Sequence, residues 1–98
     1  MKNITPREAK NKLDHHEKLN IIDVREPEEV MFGMIPGAKN IPLGTIPEHL
    51  EEMDKNEEYI IVCQSGGRSM HATMFLENQG FKVMNMTGGM SNWNWETV

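Results

Sequence analysis

Tyr59-Ile60-Ile61-Val62-Cys63-Gln64-Ser65-Gly66-Gly67-Arg68-Ser69 is the stretch on which the reading of the chain turns. Its first five residues are uniformly apolar, the pattern of a central parallel strand covered on both faces. Four small or polar residues follow. Arg68 then opens a helical segment through Gln79, with Ala72, Phe75 and Leu76 at inward-facing spacing. A strand that ends in a thiol and turns into a helix puts the sulfur at the carboxyl edge of the sheet, where open α/β sheets bind ligands. Gly66 and Gly67 let the loop curl without Cβ clashes. The backbone N–H groups of Gln64, Ser65, Gly66, Gly67 and Arg68 are therefore expected to converge on one spot. The helix adds its free N–H groups and the positive end of its dipole. The result is a cradle for something small and negative, with Cys63 at its floor.

Such surroundings change what a thiol does. A free cysteine with a pKa of about 8.5 is only about 3% thiolate at pH 7. A shift of two units downward makes it about three-quarters thiolate, and helix N-termini and neighbouring arginines supply shifts of that size. Arg68 is the only formal charge between Tyr59 and Leu76, in a chain with fifteen Asp and Glu against ten Lys and Arg. With a net charge of −5, attraction for an anion has to be local. The competing reading of Cys63 is a small, inert hydrophobe closing a buried strand.

Outward from this stretch, short apolar runs alternate with helical patterns, which indicates an α/β domain with a parallel sheet. Thr5-Pro6-Arg7-Glu8 reads as a helix start, with Thr5 as N-cap, Pro6 at the first position and Glu8 closing a capping box. Asn20–Val24 reads as a buried strand and Pro27–Phe32 as a short helix. Gly33–Ala38 reads as loop, and Lys39–Ile41 as a short strand. A helix over Leu43–Met53 is expected from Ile46, Leu50 and Met53. Gly80 fits the left-handed position after the helix that ends at Gln79, with Phe81 folding back on Leu76. Lys82–Met86 is the last strand. The 98 residues are read as one domain, 1–98.

Composition narrows the function classes. The acidic balance disfavours a nucleic-acid partner. The longest strongly apolar run, Tyr59–Cys63, is too short to span a bilayer, and the start MKNITPREAK has no apolar signal core. No membrane partner and a cytoplasmic location are therefore expected, consistent with a lone cysteine in a reducing compartment. One cysteine cannot form an intramolecular disulfide, and no ligand set for a metal is apparent.

Cys63-Gln64-Ser65-Gly66-Gly67-Arg68 resembles the active-site loop of rhodanese-type sulfurtransferases, and the likeness extends over nearly the whole chain. Asp23-Val24-Arg25 is similar to that family's D-V-R segment. Gly33-Met34-Ile35-Pro36-Gly37-Ala38-Lys39-Asn40-Ile41-Pro42 is similar to its G-H-I-P-G-A-x-N-I-P motif, with Met34 where the family usually has His. Gly88-Gly89-Met90 and Trp93 are similar to its ending. The resemblance implies a rhodanese-like three-layer α/β/α fold with a five-stranded parallel central sheet. It implies an enzyme that takes a sulfane sulfur from an anionic donor such as thiosulfate, or from a persulfide. A Cys63 persulfide then passes the sulfur to cyanide, a thiol or a sulfur-relay protein, with no cofactor. Cys63 to Arg68 spans six residues, shorter than the C-x5-R loop of related phosphatases and arsenate reductases.

Within this reading Cys63 is the nucleophile. The loop N–H groups stabilise its anion and persulfide, as oxyanion-hole donors do for oxygen. Arg68 either orients an anionic donor or bonds loop carbonyls or Asp23. Asp23 and Arg25 are expected to form an ion pair that holds the loops. The Ser65 and Ser69 hydroxyls either add a donor or are ordinary loop and first-turn residues. Trp93 closes a hydrophobic layer, the methionines fill core, and the acidic Glu48–Glu58 run is a solvated face. Two other functions fit the same fold: a non-catalytic or regulatory binding module, and a sulfur carrier or redox-sensing thiol.

Overall fold

The computed structural model describes residues 1–98. Strand β4 (Glu58–Val62) lies at the centre of a five-stranded sheet, between β5 (Lys82–Met86) and β2 (Asn20–Asp23). Strand β1 (Lys2–Ile4) lies outside β5, and β3 (Lys39–Asn40) lies outside β2. Every pairing is parallel, and the register aligns Ile61 with Ile22 on one side and with Asn85 on the other.

The apolar run of β4 serves both faces in alternation. Ile61, followed by Cys63, packs in one layer with Ala72 and Leu76 of α3 (Gly67–Asn78). Ile46 of the 3₁₀ helix Leu43–Glu52 lies in the same layer. Ile60 and Val62 pack on the other face with Ala9 of α1 (Pro6–Asp14) and with Trp93. Burying each such branched side chain contributes about 1.5–3 kcal/mol. The outcome is the three-layer arrangement expected from the sequence.

Both helix ends that were legible in the sequence are built as expected. Thr5 Oγ1 accepts from Glu8 N–H at 3.1 Å, and Glu8 Oε1 accepts from Thr5 N–H at 2.9 Å. At the end of α3, Phe81 N–H donates to the Leu76 carbonyl and Gly80 N–H to the Glu77 carbonyl, both at 3.0 Å. Gly80 sits at φ +93°, where a side chain would strain the backbone.

One segment differs from expectation. Leu43–Glu52 forms a 3₁₀ helix, not an α-helix, although Ile46, Leu50 and Met53 do face the core. Pro47 has no N–H to bond four residues back, and its ring crowds the carbonyl of residue 43, so the tighter winding prevails. The short helix α2 also stops sooner, at Pro27–Val30 instead of Phe32.

The strand order places the critical edge. The chain leaves β2 towards β3 and leaves β4 in the opposite direction, towards β5. Their carboxyl ends therefore flank the switch point of the sheet, where connections diverge and leave a crevice.

Candidate active site

Cys63 follows β4 at this switch point. Gly66, in the left-handed region at φ +105°, turns the chain so that its N–H points back at the cysteine sulfur, 3.0 Å away. Ser69, in the first turn of α3, places its Oγ 3.3 Å from the same sulfur. Burial pushes the thiol pKa up. The Ser69 hydroxyl, together with the backbone N–H groups of Ser69, Gly66 and Ser65, outweighs that effect and brings it below the ordinary value.

The bare sulfur uses only part of the expected set of amides. Of the five N–H groups expected to converge, Gly66 donates to the sulfur and Ser65 contributes; those of Gln64, Gly67 and Arg68 form no hydrogen bond with it. The N–H of Ser69 belongs to the set instead. The reason is local: the single left-handed residue sits at Gly66, which aims the amides nearest it and lets the following ones run into the helix.

Gln64 faces away from the sulfur. Its Nε2 donates to Ser91 Oγ at 3.2 Å, and its Oε1 accepts from Arg25 Nη1 at 3.4 Å. The loop is pinned from beneath by the 3₁₀ turn Gly89–Asn92. Met90 N–H donates to the Cys63 carbonyl at 2.8 Å and Ser91 N–H to the Gln64 carbonyl at 2.9 Å. This approach is so close that a Cβ on Gly89 would collide with the Cys63 carbonyl oxygen.

Asp23 and Arg25 form the expected ion pair. Arg25 Nη2 lies 2.8 Å from Asp23 Oδ2 and Nε lies 3.0 Å from Oδ1, with both side chains buried. Arg25 Nη2 also donates to the Gly33 carbonyl at 2.8 Å, and Asn40 Nδ2 donates to the Asp23 and Arg25 carbonyls. The pair thus joins the loops after β2, before β3 and after β4. The backbone of Met34 is tied to Val98 by two hydrogen bonds.

Arg68 bonds neither Asp23 nor loop carbonyls. Its guanidinium forms a fork with Glu29 of α2, Nη1 to Oε1 at 2.6 Å and Nη2 to Oε2 at 2.7 Å. The Arg68 hydrogen bonds, followed by the N–H of Glu26, hold the Glu29 carboxyl down at about 2. Asp23 is already taken up by Arg25, while the Glu29 carboxylate of α2 lies within reach of Arg68. Sequence reading missed Glu29, and it also missed Asn85 of β5, whose carboxamide oxygen meets Ser69 Oγ behind the sulfur. Gly89 and Ser91, the supports beneath the loop, had no role assigned either.

Cys63 is only 1% exposed, and its apolar side belongs to the layer containing Ile61 and Leu76. A surface cavity of about 140 Å³, lined mostly by apolar residues, lies at the amino ends of β2 and β4 beside Leu19 and Tyr59, away from the sulfur. Ser69 is itself fully buried, so the sulfur is reached past the exposed and half-buried loop 64–67.

A doubly covered parallel sheet, with one thiol held by a short loop at its switch point, defines a class of α/β cysteine-loop proteins. The rhodanese-like domain model matches residues 5–96. A Bacillus subtilis relative named "Putative sulfurtransferase YtwF" is 48% identical over 97 residues, which is 99% of this chain and 94% of the relative. A sulfurtransferase of Allochromatium vinosum is 38% identical over 78 residues, 79% of this chain and 73% of its own. A crystal structure of a rhodanese-like domain protein from Staphylococcus aureus aligns at TM-score 0.93 and 47% identity, covering 98% of this chain and 94% of that one. The chain belongs to the rhodanese-like domain family.

Proposed function

We propose that the protein is a single-domain cytoplasmic sulfurtransferase in which Cys63 carries the sulfur. The Cys63 thiolate attacks the outer sulfur of thiosulfate; the new S–S bond forms as the old one breaks, and sulfite leaves with the electron pair. The persulfide anion then loses its outer sulfur to cyanide or a thiolate, which regenerates the Cys63 thiolate. A protein persulfide serves equally as donor by the same displacement, with a protein thiolate as the leaving group.

The observation that carries this reading is the sulfur at the end of β4 with Gly66 N–H directed at it and the Ser69 hydroxyl within hydrogen-bond reach. A donor fixed before reaction, as Gly66 N–H is, stabilises a sulfur anion without reorganising when it forms. Arg68 is neutralised in place by Glu29, so its part is to hold α2 against the loop, and a donor reaches it only by competing with that carboxylate. The names of the relatives in the family support the same activity.

The test is to incubate the protein with thiosulfate and weigh it intact, beside Cys63→Ser. One added sulfur on the wild type alone, removed by cyanide, is the expected result. The burial of the sulfur favours one other reading, a binding module of the same fold. A wild-type protein that takes up no sulfur from thiosulfate or a persulfide donor, yet binds another protein tightly, would favour that reading instead.

A further inference from the structure

Asn85 is out of place by hydropathy. It lies in β5 on the sheet face that carries Val83, in register with Ile61 and opposite α3, and is 5% exposed. A carboxamide in such a layer costs stability unless its polar atoms are used. Its oxygen meets Ser69 Oγ, while its nitrogen donates to no other group of the protein.

Ser69 Oγ has three polar neighbours: Asn85 Oδ1, Cys63 Sγ and the Gly66 carbonyl, the last already accepting from Met70 N–H. A hydroxyl has one proton to give and accepts at its lone pairs. When the sulfur carries its proton, S–H donates to Ser69 Oγ and the hydroxyl donates onward to Asn85 Oδ1. When the sulfur is an anion, the hydroxyl must donate to the sulfur, and Oγ then needs a donor on its far side. A carboxamide supplies either role by turning about its last bond, and here the turn breaks no other hydrogen bond.

We propose that Asn85 is a positioning residue for Cys63, its carboxamide holding the Ser69 hydroxyl and exchanging acceptor for donor as the sulfur passes between its protonated and anionic forms. This deepens the sulfurtransferase reading, which requires an anionic sulfur at this place. It accounts for a buried polar residue that the ion pairs and loop contacts leave unexplained. The charged groups around the sulfur stay constant in the comparison. Arg68 of α3 is paired with Glu29 of α2, and the Asp23–Arg25 pair after β2 lies beyond Gln64. The Gly89–Asn92 turn contributes no charge.

The experiment follows the rate of iodoacetamide alkylation of Cys63 against pH, read by intact mass. It compares wild type, Asn85→Leu, Asn85→Val, Ser69→Ala and the Ser69→Ala/Asn85→Leu pair, with folding checked by circular dichroism. The inflection is expected to rise by about one unit in either Asn85 variant, as loss of a hydrogen bond that favours the anion requires. It should rise in Ser69→Ala too, with no further rise in the double variant. An unchanged inflection in the folded Asn85 variants overturns the proposal, and so does a second rise in the Ser69→Ala background. Loss of folding by both apolar variants overturns it as well, since Asn85 would then be needed by the sheet itself. No sulfur donor is involved, so failure to load sulfur from thiosulfate refutes the functional reading and leaves this result standing.

Discussion

Arg68 and Glu29, 39 residues apart in sequence, grip one another through two parallel N–H···O bonds of 2.6 and 2.7 Å. The grip fastens α2 to the amino end of α3, one residue after the loop that surrounds Cys63. Each side chain is about one-third exposed, 37% and 33%, so solvent screens the pair.

Glu29→Gln is therefore expected to lower stability by about 1 kcal/mol or less at neutral pH, as partly exposed pairs do. The pH dependence has a defined sign. The Glu29 carboxyl titrates at about 2 in the folded protein, against 4.5 unpaired. Its contribution is fully present above 4.5 and is lost as the pH falls towards 2. Urea titrations of wild type and variant at pH 7 should differ, and titrations near pH 2.5 should converge.

Removing one partner of the buried pair costs more. Arg25→Met leaves Asp23, 1% exposed, with an uncompensated charge and opens two loop contacts, to Gln64 and to the Gly33 carbonyl. The expected loss is about 3–5 kcal/mol. Asp23→Leu/Arg25→Met should recover part of it, because no lone buried charge remains. Denaturant midpoints of wild type and the two variants measure this; equal midpoints for the single and double variants would show that the charge is not the issue.

Gly89→Ala tests the support beneath the thiol. The residue sits at φ +57° with the Cys63 carbonyl where a Cβ would go. A loss of about 1–3 kcal/mol is expected from strain and displacement. Cys63 alkylation should also lose its low inflection, because the loop that aims Gly66 N–H is pushed off its seat. An alanine variant with wild-type midpoint and alkylation profile would contradict the close approach.

Access to the sulfur has its own signature. At 1% exposure Cys63 should react with iodoacetamide through small motions of the loop. A polymer-linked maleimide should be slowed at least about tenfold relative to the urea-unfolded chain, since it waits for larger openings. Equal slowing of both reagents would mean that the loop stays shut to small molecules too.

The strand, loop and helix around Cys63 were legible because several local signals follow one another between Tyr59 and Phe81. An apolar run, two glycines and a helix with the Gly80-Phe81 ending agree at every level. The capping box at Thr5 and Glu8 was legible for the same reason. Leu43–Glu52 was misread because the spacing of Ile46, Leu50 and Met53 fits an α-helix, while Pro47, in plain view, argues against one. Glu29 was beyond reach, since nothing local distinguishes it from Glu26 or Glu28; only the folded chain brings it to Arg68. Asn85 did carry a signal: a carboxamide inside the apolar run Lys82–Met86 asks for a partner, though not which one. Loop composition permits the curl but does not say which amides bear on the bare sulfur, and the part played by Ser69 N–H was not legible in it.

The carbonyls of Cys63 and Gln64 are held by Met90 and Ser91, residues far downstream. The seat of the thiol is therefore closed by the last turn of the chain, and damage to that carboxyl-terminal segment reaches the sulfur through two backbone carbonyls.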